Sequence, residues 1–187
     1  EPESRNRGVL VVLNDTIHSA KWAHKSNTFS LQTFVSVNAG VQGLVVEGRA
    51  KYLSCAVNRK IYPLPVKAFP KVAVVQSYLD NDGQIIALVG KSEFDGVVID
   101  GFGAGHVSFG MMDEIKKLKI PVVVSSRTGS GMCATKTYGY KGSEIDLQSS
   151  GCVMSGWLSA IKARLLLMVL IADEIPPQEI KNEFENF

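Results

Sequence analysis

Three short runs of β-branched and small apolar residues mark the middle of the chain: Val72-Ala73-Val74-Val75, Val97-Val98-Ile99 and Val122-Val123-Val124. Their apolarity is continuous rather than alternating, the pattern of strands covered on both faces, as in a parallel sheet. Each run begins 25 residues after the one before, which leaves room for a crossover helix. The intervening segments supply such helices. Residues 84–89 follow Asn81-Asp82-Gly83, a turn and capping signal, and stop at Gly90. Residues 111–118 put Met111, Met112, Ile115 and Leu118 near one face, with Lys116, Lys117 and Lys119 in the last turn, where positive charge suits the helix dipole. Ser159 caps a predicted helix over 160–173 closed by Pro176-Pro177, and a polar helix is predicted over 177–185. The expected fold class is α/β, a three-layer domain with a short parallel sheet flanked by helices.

The first seventy residues do not share this rhythm. Residues 8–13 (Gly-Val-Leu-Val-Val-Leu) read as another all-apolar strand, but 14–38 are polar, rich in Ser, Thr, Asn and Lys, and aperiodic. A fully buried strand needs neighbours on both sides and none lies upstream, so this region reads as the end of a preceding, larger α/β domain. Residues 44–53, with Glu47-Gly48 at their middle, predict a hairpin. Pro63, Pro65 and Pro70 then punctuate a connector. The expected division is a domain remnant at 1–24, a linker at 25–44 and a C-terminal α/β domain at 45–187.

Composition narrows the function classes. The 187 residues, 45% apolar and 20% charged, suit one good core with an appendage and exclude a disordered polar chain, a collagen-like repeat and a coiled coil. Twenty Lys and Arg against eighteen Asp and Glu leave +2, without blocks of like charge, so neither nucleic acid nor an anionic membrane is indicated as a partner. The longest apolar run, 165–172, is far short of the roughly 20 residues of a spanning helix and reads as a buried helix face. Cys55, Cys133 and Cys152 are odd in number and show no CxxC spacing, which indicates neither a disulfide framework nor a zinc site and favours a reducing, cytoplasmic setting. The opening Glu-Pro-Glu-Ser-Arg-Asn-Arg has no signal-peptide pattern and no initial Met, so the chain reads as trimmed or excised and its native address stays unread.

Chemistry-bearing residues gather after the strands. The second valine run leads into Asp100-Gly101-Phe102-Gly103-Ala104-Gly105-His106, and ligands of open parallel sheets bind beyond the carboxyl ends of strands. The glycines give GxGxG, with His106 where a dinucleotide fingerprint wants its third Gly, so a tight strand-to-helix turn is the stronger reading. His106 is suited to point across the sheet edge, whereas His18 and His24 have no metal-ligand spacing. Ser125-Ser126-Arg127-Thr128-Gly129-Ser130-Gly131 offers hydroxyls and a guanidinium to an anion, or makes an ordinary polar loop. Ser143 is a candidate helix cap, and Glu144 and Asp146 are suited to satisfy a helix dipole. Spacing alone assembles no catalytic triad.

These segments together resemble the bacterial-type L-asparaginase/glutaminase family, specifically its C-terminal part. The carrying residues are Gly8-Val-Leu-Val-Val-Leu-Asn-Asp15, Lys25 with Thr28, Gly101-Phe-Gly-Ala-Gly-His106-Val, Val124-Ser-Ser-Arg127, Thr137-Tyr-Gly-Tyr-Lys-Gly-Ser-Glu-Ile-Asp-Leu147 and Lys162-Ala-Arg164-Leu-Leu-Leu, in family order over nearly the whole chain. The resemblance implies an amidohydrolase with a threonine nucleophile, an acyl-enzyme, release of ammonia, and neither metal nor organic cofactor. It also implies that residues 1–24 end an N-terminal catalytic domain. The family's Thr-Gly-Gly-Thr and His-Gly-Thr-Asp motifs do not occur here, so no catalytic residue is expected in this chain and it is expected to be inactive alone. What the resemblance leaves to it is a wall of the neighbouring subunit's site within a homo-oligomer, a dimer or tetramer. Glu144 would then bind the amino group of a small amide amino acid, and His106 would tune acceptance of asparagine against glutamine. Gly40-Val41-Gln42-Gly43 departs from the family's Gly-Pro-Leu-Gly, which leaves linker stiffness and substrate preference open. The competing reading is a non-catalytic amino-acid-binding or regulatory module of the same fold, and a nucleotide-binding module stands behind it.

Overall fold

Two consecutive residues with positive φ set up two of the tight turns of the smaller unit. The computed structural model describes residues 1–55, 59–65 and 68–187 and divides into compact units at Glu1–Ile61 and Tyr62–Phe187. In the first, β1 (Leu10–Leu13), β2 (Thr16–Ser19), β5 (Gly43–Val46) and β6 (Arg49–Tyr52) form an antiparallel sheet in the order β1-β2-β5-β6. β3 (Ala23–Lys25) and β4 (Phe34–Ser36) pair separately. The hairpin expected at Glu47-Gly48 is present, with φ of 53° and 73° at those residues, the left-handed pair whose twist matches the flanking strands. Asn14 and Asp15, with φ of 47° and 55°, make the same turn between β1 and β2. Three strands thus lie in the segment read as aperiodic, because each is only three or four residues long and alternation has no length in which to show. β1 pairs with β2 alone among the described residues, and Val9, Val12 and Leu13 are exposed.

The valine runs become the parallel sheet of the second unit. Its strands are β7 (Val72–Gln76), β8 (Gly96–Gly101), β9 (Val122–Ser126) and β10 (Val153–Met154), in the order β10-β9-β8-β7. Between them lie α1 (Gln84–Gly90), α2 (Phe109–Ile115) and α3 (Glu144–Ser149), and α4 (Ala160–Ala172) and α5 (Pro177–Asn186) follow. Side chains alternate across the sheet. Ala73, Val75, Val97, Ile99, Val122, Val124 and Met154 face one core with Ile86, Val89, Met111, Met112, Ile115 and Leu147 of α1, α2 and α3. Val72, Val98, Val123 and Val153 face the other, against Ala163, Leu166, Leu167 and Leu170 of α4 and Ile180 and Phe184 of α5. Both faces are covered, which is why the runs are continuously apolar.

Two expectations shift. Ser108 Oγ accepts from Met111 N at 3.1 Å and caps α2, so that helix starts at Phe109 and ends at Ile115, before Lys116, Lys117 and Lys119. Those lysines act as side-chain partners instead: Lys116 Nζ reaches Asp146 at 3.0 Å and Lys117 Nζ reaches Glu114 at 2.5 Å. The short strand β10 went unread because a pair of residues carries no periodicity.

Leu167 is fully enclosed whereas Leu165, two positions earlier on α4, is 55% exposed. Leu167→Ala is expected to destabilise the second unit by about 2–5 kcal/mol, and Leu165→Ala by under about 0.5 kcal/mol. Denaturant unfolding followed by far-ultraviolet circular dichroism measures both; equal losses would show that α4 does not pack as described.

Candidate functional site

The end of β8 runs into a turn that closes on itself. Phe102 N donates to His106 O at 2.8 Å, and Gly105 N and His106 N donate back to Phe102 O at 2.7 and 3.0 Å. Gly105 has φ of +95°, and a Cβ there would meet Met154 Cε at 2.8 Å, so glycine lets the turn lie flat on the sheet end. The amides of Phe102, Gly105 and His106 are thus spent inside the turn and are not offered to a pyrophosphate.

A second loop meets this turn from the start of α3. Val107 N donates to Gly142 O at 2.9 Å, and Ser143 Oγ donates to Tyr138 O at 2.7 Å. Ser143 is therefore the N-cap residue, but its side chain fastens the loop rather than the helix. Glu144 opens α3, where the helix dipole favours a carboxylate. Its side chain is completely buried. Oε1 accepts from Thr137 N at 2.6 Å and Tyr138 N at 2.7 Å, and Oε2 lies 2.7 Å from His106 Nε2. Burial pushes this carboxyl up, but the amides of Tyr138, Glu144 itself and Thr137, together with His106, outweigh it and hold it below the usual range.

An ionised carboxylate only accepts, so His106 Nε2 carries the proton of that bond. On the other side of the ring Tyr140 Oη lies 2.6 Å from Nδ1. The rings of Tyr138 and Tyr140 stand edge-on to the imidazole at centroid distances of 5.0 and 5.4 Å. Both tyrosines are about half exposed, whereas His106 is 9% exposed. The amides of Thr137 and Tyr138 and the His106 ring thus satisfy the enclosed carboxylate from both of its oxygens. The arrangement concentrates one negative charge beside an imidazole and two half-exposed phenols.

The two residues singled out from the sequence, His106 and Glu144, are thus in direct contact across 38 positions. Thr137, Tyr138 and Tyr140 were quoted but given no role; the tyrosines flanking Gly139 just ahead of the capping Ser143 were the available signal. Other candidates do not join them. Ser125 is buried and donates to Leu158 O at 2.8 Å, and Arg127 donates to Ser77 O at 2.8 Å with its guanidinium over the Phe102 ring. Asp146 accepts from Gly142 N at 2.9 Å and pairs with Lys116. His18 is buried in the first unit against Ser36 Oγ, and His24 is exposed on β3. Among the described residues no group of three or more His, Cys, Asp or Glu is placed to hold a metal ion, and no helix is long and apolar enough to cross a membrane.

Comparison with known sequences gives the same outline. The profile of the glutaminase/asparaginase C-terminal domain matches residues 71–184, and that of the asparaginase N-terminal domain matches residues 1–58. The chain is similar to L-asparaginase 2 of Escherichia coli K12, at 33% identity over 193 residues that cover 98% of this chain and 53% of the relative. It is similar to an L-asparaginase of Bacillus licheniformis, at 29% identity over 98% of this chain and 56% of the relative. A probable periplasmic L-asparaginase of Haemophilus influenzae is 28% identical over 100% of this chain and 54% of the relative. The chain thus spans about half the length of the curated relatives it matches.

Because the folded value of Glu144 lies below the ordinary 4.5, the unfolded chain takes up this proton first as the pH falls. The stability Glu144 contributes is complete above 4.5 and is lost as the pH drops through the lowered value. Glu144→Gln is accordingly expected to flatten the acid side of the stability profile, read as Tm against pH from neutral into the acid range. Parallel curves for the two proteins would contradict the ionised state described here.

Proposed function

The chain belongs to the glutaminase/asparaginase family, and on that premise we propose that it is the C-terminal portion of an L-asparaginase-like amidohydrolase, supplying substrate-binding and oligomer contacts. The reaction is hydrolysis of L-asparagine, with L-glutamine as the second candidate, to the acid and ammonia. Such chemistry needs a nucleophile, a proton acceptor and donors for the oxyanion. In this reading an N-terminal portion of the same enzyme supplies them, with no metal or organic cofactor, and residues 1–24 continue that portion while 25–44 link it to 45–187. The observation that carries the reading is the ionised carboxylate of Glu144, held at the start of α3 by two amides and His106, a charge that complements the ammonium of an amino acid. His106 then tunes acceptance of asparagine against glutamine, because the side chain that bonds Glu144 also fixes where the ligand's charge sits.

A homo-oligomer is part of the same proposal. Ile161 and Leu165 turn away from the core on α4 and are 64% and 55% exposed, although that helix is apolar nearly all round. A reducing, cytoplasmic setting is favoured by three free thiols, Cys55, Cys133 and Cys152.

The test is ammonia release from L-asparagine and L-glutamine by this chain alone and after mixing with a separately made family N-terminal portion. Activity is expected only in the mixture. Amino-acid binding without ammonia release in either sample would favour the non-catalytic module instead. In the active mixture Glu144→Gln is expected to raise KM roughly 10–100-fold, the loss of one charge-assisted hydrogen bond, and an unchanged KM would remove Glu144 from the site.

A further inference from the structure

The outer edge of β1 carries main-chain groups that meet no strand of the first unit. β1 pairs with β2 on one side, and among the described residues no strand lies on the other. Which groups point there follows from the register. Ala20 N donates to Val9 O at 2.9 Å, so Val9 and Ala20 form a hydrogen-bonded pair. Bonded and unbonded pairs alternate along an antiparallel ladder. Val11 opposite His18 and Leu13 opposite Thr16 are therefore bonded, whereas Leu10 and Val12 turn their N–H and C=O groups outward. β2 shows the same sense: Ile17 stands opposite Val12, and its oxygen accepts from Gln42 N at 2.8 Å on the side away from β1. The edge is also apolar. Val9 is 76% and Val12 54% exposed, and Leu13 and Leu44, on one face either side of Thr16, are 41% and 40% exposed. Edge strands that stay in water carry Pro, charges or bulges against pairing with another chain. Residues 8–13 contain no Pro and no charged side chain, and their ladder has no bulge.

We propose that this edge is the docking surface of the N-terminal portion, a strand of which adds to β1 through the outward groups of Leu10 and Val12. This rests on the reading that such a portion completes the enzyme, and it names the atoms through which the two join. Main-chain bonds along the edge supply the attachment, and the apolar side chains beside them are removed from water. Two observations favour this occupant over a second copy of the chain. The profile of the asparaginase N-terminal domain matches residues 1–58, the unit that holds β1, and the chain spans only about half the length of its relatives, so their further length suits the rest of that domain. A second copy pairing edge to edge would also extend the sheet but leave the Leu13 and Leu44 face as open as before. A portion large enough to add a strand and a layer covers both.

The test is amide hydrogen exchange, read by NMR, on this chain alone and after refolding together with a separately made family N-terminal portion. In the chain alone Leu10 and Val12 are expected to exchange fast and Val11 and Leu13 slowly. In the complex Leu10 and Val12 should slow by at least about tenfold, because both gain bonded partners. Fast exchange at both in an assembled complex overturns the proposal, and so does the absence of any complex on gel filtration. Protection of Leu10 and Val12 that rises with concentration in the chain alone overturns it in favour of a second copy. Val12→Pro is the matched variant, since it removes an outward N–H and sets a ring on the edge but leaves the ladder to β2 intact. Alone it should keep the slow exchange of Val11, and its Kd for the N-terminal portion should rise about tenfold, the upper worth of one hydrogen bond. Val12→Lys keeps the backbone and places a charge against the added strand, and the same rise is expected of it should proline disturb β1. A Kd unchanged in a folded variant overturns the proposal. Ammonia release separates this docking from the activity. A complex that protects Leu10 and Val12 but releases no ammonia supports the docking and counts against the amidohydrolase, whereas release with both amides fast counts against the docking alone.

Discussion

A buried carboxylate must be given donors or be neutralised, and Glu144 imposes that condition on everything around it. Two amide hydrogens have to point at one oxygen, so residues 137 and 138 must pass directly over the start of α3. Ser143 then closes the loop through Tyr138 O, and Gln148 fastens its far end by donating to Thr135 O and Glu144 O at 2.8 and 3.1 Å. With the loop so held, Gly142 O accepts from Val107 N and the two segments are knitted together. His106 supplies the remaining donor. The path of some ten residues follows from satisfying one charge.

That condition could not be met without a rigid base. The parallel sheet is buried on both faces, so its strand ends have little freedom, and the turn after β8 is fixed by its own hydrogen bonds and by glycine against Met154. β10 beside β9 brings the end of α3 back to the sheet. The distance between His106 and Glu144 is therefore set by elements whose positions depend on hydrophobic packing, not on the pair itself. Breaking the pair would leave a charge in a site that cannot easily relax, which is costlier than the pair is worth.

The same division explains what could be read from the sequence. The valine runs, their spacing and the helices α1, α2, α4 and α5 were legible because burial on both faces writes continuous apolarity and regular crossovers. The Glu47-Gly48 hairpin was legible because a turn needing positive φ selects its residues. β2, β3, β4 and β10 were not, since strands of two to four residues are defined by partners and not by pattern. The α2 boundary moved by two residues because Ser108, a cap outside the apolar stripe, decides it. At the site, the resemblance singled out His106 and Glu144, but neither spacing nor residue type indicated that they touch, or that Tyr140 completes the chain of bonds. Contacts across 38 positions depend on how the sheet stacks its strand ends, information spread over the whole core.

Histidine at position 106 does more than a neutral donor would. An amide side chain there could supply an N–H to Glu144, and the carboxylate would be equally satisfied. It would have no second ring nitrogen to meet Tyr140 Oη. The imidazole connects the enclosed anion to an exposed phenol through its two nitrogens. Glu144 also orients the ring, because an ionised carboxylate only accepts and Nε2 must carry the hydrogen between them. The buried charge that organises the loop thereby determines which ring nitrogen is turned to Tyr140.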